Sequence, residues 1–138
     1  MIIEFGKDRI NLDDLLVVAE YTTSDGPACD DYFLVVLTRD GKRSEMPIGG
    51  PETEKIVSIL SSALSQPINL RLYNRADYSS RVLYPPNVMD RPFFISKRIE
   101  LKWGKLSKLL GAPDHIDEWI VDPEVQADAI KWTLRKGP

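Results

Sequence analysis

The sequence predicts an α+β domain built on a mainly antiparallel sheet. Three observations carry this. An Asp40-Gly41 pair joins two strand-like runs, a nearly all-apolar, β-branched run extends from Tyr32 to Thr38, and a helical apolar period begins at Pro51. Together with weaker signals they predict about five to six strands and about three helices, near 51–65, 97–110 and 123–136. A chain of 138 residues is expected to form a single α+β domain over 1–138, because that length buries a core without help from disulfides or metals.

Met1 to Phe5 reads as a first short strand. Leu15 to Thr22 reads as a second, with Leu16, Val18 and Glu20 on one side and Val17, Ala19 and Tyr21 on the other. Asp13-Asp14 after Asn11 suits a turn before that strand, and Ser24-Asp25-Gly26-Pro27 predicts a loop after it. Tyr32 to Thr38 has the composition of a strand covered on both faces. Asp40-Gly41 predicts a two-residue hairpin turn with both residues at positive φ, returning as Lys42 to Ile48. Pro47 cannot donate to a ladder, which places this return strand at an edge, or its end near Pro47.

Pro51 suits the first position of the helix that follows. Ile56, Val57, Ile59, Leu60, Ala63 and Leu64 fall within an arc of roughly 160° on the helical wheel, opposite Glu54, Lys55 and the serines. Ile68 to Tyr73 alternates as a half-buried strand, with Arg81 to Tyr84 as its expected partner. Pro85-Pro86 and Arg91-Pro92 bracket a loop over about 85–92. Ser96 to Gly111 reads as a helix with Ile99, Trp103, Leu106 and Leu110 in one stripe. The competing reading is a strand over Phe93 to Trp103 followed by a short helix. Asp122-Pro123-Glu124 starts a last helix whose apolar residues form two groups, Val125, Ala129 and Trp132 against Ala127, Ile130 and Leu134.

Cys29 is the only cysteine and His115 the only histidine, which removes intramolecular disulfides and the multi-cysteine zinc patterns. No cofactor and no metal are expected. The start of the chain lacks a cationic, apolar leader, and no apolar run approaches the ~18 residues that span a bilayer. A cytoplasmic protein with no membrane partner is therefore expected. Charge is segregated: residues 1–66 carry net −6, 67–110 net +6 and 111–138 net −3. Such segments either form separate faces or cancel on folding.

Few residues point to chemistry. His115 among Asp114, Asp117 and Glu118 is one weak cluster, equally explained by a solvated helix start. Cys29 beside Asp30 and Asp31 would have its thiol pKa raised, against activation. Gly49-Gly50-Pro51 precedes a helix but lacks the lysine and spacing of a phosphate loop, and Glu52 and Glu54 would repel phosphate.

The composition fits best a non-catalytic macromolecular interaction protein, such as a small acidic inhibitor or immunity-type protein that binds a basic protein partner. Asp13, Asp14, Asp25, Asp30, Asp31 and Trp132 are its candidate contacts. The alternative is a nucleic-acid-binding module using Arg71, Arg75, Lys102, Lys105 and Lys108, interleaved with aromatic residues. An enzyme using Cys29, His115 and nearby carboxylates ranks third. The two-sided last helix leaves a homodimer open.

Overall fold

The computed structural model describes residues 1–23, 32–72, 79–100, 111 and 115–136. Among these residues it is α+β, with eight strands in three antiparallel sheets and two α-helices. The centre is a four-stranded sheet of β3 (Leu15–Thr22), β4 (Tyr32–Thr38), β5 (Arg43–Pro47) and β6 (Ser79–Tyr84), in the order β5-β4-β3-β6. β1 (Ile2–Phe5) and β2 (Asp8–Asn11) form a separate hairpin, as do β7 (Phe94–Glu100) and β8 (His115–Val121). The helices are α1 (Gly50–Leu64) and α2 (Pro123–Lys136).

The central strands β3 and β4 are apolar on both sides because each side meets its own layer. On one face Val18, Leu34 and Val36 pack with Ile56 and Leu60 of α1 and with Ile3, Phe5 and Ile10 of the first hairpin. On the other, Val17, Ala19, Val35 and Leu37 pack with Val125 and Ala129 of α2 and with Val88 and Phe93. A bulge between Leu15 and Val17 in the β3–β4 ladder turns Leu16 to the same side as Val17, rather than to the side of Val18 as strict alternation predicts. Pro47 closes β5, an edge strand, as its missing N–H requires.

The hairpin between β4 and β5 lies where Asp40-Gly41 places it, with a different turn. Gly41 alone takes positive φ, at 86°. Gly41 N–H donates to Thr38 O and Thr38 N–H to Lys42 O, which makes a three-residue loop ending in a left-handed glycine. A three-residue loop needs positive φ only at its last position, so Asp40 keeps negative φ, and its carboxylate accepts from the Thr38 hydroxyl and from Lys42 N–H at 3.1 Å. These bonds, the Thr38 hydroxyl first, hold its carboxyl below the usual value.

Three sequence expectations are corrected. The segment Phe94–Glu100 is a strand paired with β8, so the helix expected over Ser96 to Gly111 does not begin there, and the competing strand reading holds over those residues. Residues 101–110, the rest of the expected helix near 97–110, lie outside the described residues. Residues His115 to Glu118 of the Asp-His-Ile-Asp-Glu run belong to a strand, not a helix start: His115–Val121 is β8, held by its ladder with β7. Residues 68–72 form no strand, and Arg81–Tyr84 pairs with β3 instead. β2 has no counterpart in the sequence reading, because four residues with one buried apolar side chain give almost no period to detect.

Candidate functional site

The four residues Glu20, Tyr32, Arg81 and Asp90 form the main polar cluster among the described residues. Glu20 lies in β3 on the α1 face, two residues beyond Val18, and is 0 % exposed. A buried carboxylate must find donors. Tyr32 Oη donates at 2.6 Å, Arg71 N–H at 2.9 Å, Leu72 N–H at 3.1 Å and Arg81 Nε at 3.3 Å. Arg81 stands directly across the ladder from Glu20 and also donates to the Asp90 carboxylate and to Asn69 O.

This arrangement explains why 68–72 is not a strand. The chain leaving α1 crosses the sheet end, and its N–H groups at Arg71 and Leu72 are satisfied by a side chain instead of a neighbouring strand. Burial is the largest cause that raises the Tyr32 phenol above its usual pKa, with the hydrogen bond to Glu20 and the Glu20 charge adding to it. Four donors on one carboxylate leave Glu20 no free lone pair aimed at a substrate, so the cluster acts as a clamp between β3, β4, β6 and 69–72.

Beside the clamp runs an open groove of about 590 Å³ between β6 and the β7–β8 hairpin. Its walls include Leu72, Ser80, Asp90, Phe94, Ser96 and Trp119. Phe94 is anchored in the core, edge-on to both Phe93 and Tyr21 at 4.8 and 5.2 Å. Trp119, across the ladder from Ser96, is 48 % exposed. A second groove of about 520 Å³ lies between the β2 hairpin and the β4–β5 turn, lined by Arg9, Asp14, Arg39 and Lys42 among others.

Of the residues expected to bind a protein partner, Asp13, Asp14 and Trp132 are among the described ones. Asp13 and Asp14 sit exposed on a 3-10 turn, Leu12–Asp14, that precedes β3 as expected. Asp13 meets the N-terminal ammonium at 3.6 Å, and Asp14 O accepts from Arg39 N–H. Trp132 is half-buried, and its indole Nε1 is buried without a hydrogen-bond partner among the described residues. Asp25, Asp30, Asp31 and Cys29 lie outside the described residues, as do Arg75, Lys102, Lys105 and Lys108. Arg71 is exposed, beside the groove residue Leu72. His115 pairs with Glu100 in the β7–β8 ladder.

Glu20, Tyr32 and Arg81 were missed as a unit. The available signal was Glu20 itself, an acid at a core-facing position of an otherwise apolar strand, which demands a buried cation or several donors. Its partners lie 12 to 61 residues away in sequence, so no local pattern names them.

Part of the charge segregation cancels. Arg81 from the basic segment pairs with Glu20 from the acidic one, and Arg91 pairs with Asp128 at 2.8 Å and with Glu124 at 3.9 Å in α2. No helix of the described residues is long and apolar enough to cross a membrane, and among those residues no group of three potential metal ligands forms. Comparisons of the chain with protein-family models, curated proteins and solved structures found no match.

Proposed function

We propose that the protein is a non-catalytic interaction protein that binds a basic protein partner, in the manner of a small acidic inhibitor or immunity-type protein. The observation that carries this reading is the last helix. Val125 and Ala129 hold α2 on the sheet, while Ile130 and Leu134 on its other side are 42 % and 75 % exposed. An outward apolar side on a helix already anchored by its inner side is surface in excess of what the fold uses.

Charge supports the sign of the partner. Among the described ion pairs of the basic segment, Arg81–Glu20 alone draws on an acid of residues 1–66, whose net −6 is thereby offset only in part, while Arg91 is engaged by Glu124 and Asp128. Asp13 and Asp14 stay at the surface.

The test is affinity capture from lysate at low and moderate salt, with the wild type, a D13N/D14N variant and an I130E/L134E variant. A protein partner held by wild type, lost from I130E/L134E and released from wild type as salt rises is the expected result. Absence of any captured protein at every salt concentration overturns the reading.

A further inference from the structure

We propose that the free protein covers the outward side of α2 with the α2 of a second copy, forming a weak homodimer in which the two helices run antiparallel about a two-fold axis between Ala129 and Ile130. The basic partner proposed above uses the same side, so the two occupants exclude each other, and the dimer is tested on purified protein alone.

The helix carries its surface residues in two adjoining bands. At about 100° per residue, Pro123, Ala127, Ile130 and Leu134 fall within an arc of about 60°. All four are exposed, whereas Val125 and Ala129 on the inner side hold the helix to the sheet. The next arc, again about 60° wide, holds Glu124, Asp128, Lys131 and Arg135. On the other side of the apolar band lie the uncharged Gln126 and Thr133. One flank is therefore charged, with its acids in the N-terminal half and its bases in the C-terminal half.

That order is complementary to itself in one arrangement. When two copies pair antiparallel about a two-fold axis, the charged flank of each lies beside the charged flank of the other, reversed end for end. A parallel pair sets it beside Gln126 and Thr133 instead. With the axis midway between Ala129 and Ile130, position 124 of one copy is level with 135 of the other, and 128 with 131, so acid meets base at each level. The apolar band selects the same register without reference to charge. About that axis Leu134 of one copy enters between Pro123 and Ala127 of the other, and Ile130 enters between Ala127 and Ile130.

Glu124 and Arg135 carry the selection. Arg91 already holds Asp128 at 2.8 Å, and Lys131 stands 3.8 Å from Asp128 within its own helix, so the level of 128 and 131 adds little. Glu124, by contrast, is 86 % exposed with Arg91 no nearer than 3.9 Å, and Arg135 is exposed and forms no ion pair among the described residues. One 14-residue helix against its copy falls below the roughly 1,200 Å² of a stable interface, which makes this dimer weak and reversible.

Sedimentation equilibrium of the purified chain should show a monomer–dimer equilibrium with a Kd of about 10–100 μM. Glu124→Arg and Arg135→Glu each place like charges opposite one another at both symmetric levels, so either variant alone should dimerise at least about tenfold more weakly. An equimolar mixture of the two variants restores acid opposite base at both levels and should dimerise within about threefold of wild type. Both positions are exposed, so folding stays intact, which the far-ultraviolet circular dichroism of each variant checks. A wild type that stays monomeric at about 500 μM, single variants that dimerise as tightly as wild type, or a mixture no tighter than either variant would each overturn the proposal, whether or not a basic partner is captured from lysate.

Discussion

Glu20 shows how one residue decides several others. Its carboxylate accepts from Tyr32, Arg81 and two main-chain N–H groups, and Glu20 itself is fully buried. Removing it takes the acceptor from the Tyr32 hydroxyl and from Arg71 and Leu72 N–H, and leaves Arg81 with Asp90 and Asn69 O alone. Glu20→Ala should therefore cost about 3–5 kcal/mol in urea unfolding, well above an average substitution. A loss under about 1 kcal/mol would show that the clamp carries little energy. Tyr32 gives the clamp a pH signature. Its folded pKa is raised, so the folded chain keeps the phenol proton where unfolded tyrosine, at about 10, loses it. This contribution to stability is complete below the unfolded value and is lost as pH climbs towards the folded one. Between about pH 8 and 11 the urea midpoint of wild type should fall more steeply than that of Tyr32→Phe. Identical slopes would contradict the assignment, since the remaining tyrosines titrate in both proteins.

At the scale of elements, each hairpin and helix is placed by a few contacts across layers. The β1–β2 turn contains Gly6 at φ 60°, where a Cβ would overlap Glu45 O of β5. Gly6→Ala should lower stability by about 1–3 kcal/mol through strain and loss of this close approach. Gly41→Ala lacks such a contact and meets only the left-handed backbone penalty, so its smaller loss makes the internal control. Helix α2 is tied to residues 87–91 by Arg91 on the Asp128 carboxylate and by Asn87 on Asp128 O. The Arg91 hydrogen bond is the main cause that lowers the Asp128 pKa, so this tie is present above the ordinary carboxylate value and fades as pH falls through the folded one.

For the whole molecule, the central sheet is shielded on both faces, by α1 with the first hairpin and by α2 with residues 88–94. Its middle strands should hold the most protected amides. Hydrogen exchange should be slowest in Val17–Tyr21 and Leu34–Leu37 and faster throughout β8, which among the described residues pairs only with β7. Protection in β8 equal to that in β3 would contradict this layering. The segregated charges also act at this scale, because pairing Arg81 with Glu20 and Arg91 with Asp128 removes part of the contrast that composition displays.

Much of the fold was legible in the sequence because its signals are local. The Tyr32–Thr38 run, the turn around Gly41, the period of α1 and the Asp122-Pro123 start of α2 each arise from neighbouring residues, whose backbone preferences and apolar spacing act before any tertiary contact. The first hairpin was half legible, and β7–β8 was read against a helical pattern because Ile95, Ile99 and Trp103 satisfy either period. The candidate site was scarcely legible. Glu20 was visible as an acid in an apolar strand, but its donors and the groove beside them arise from pairings between distant segments. The sequence by itself determined the class of fold, its early hairpin and its two described helices, because local propensity and amphipathic period specify elements. Only the tertiary structure decided which strands neighbour one another, and so which buried acid is clamped and by which donors, because strand pairing is set by long-range burial and hydrogen bonding.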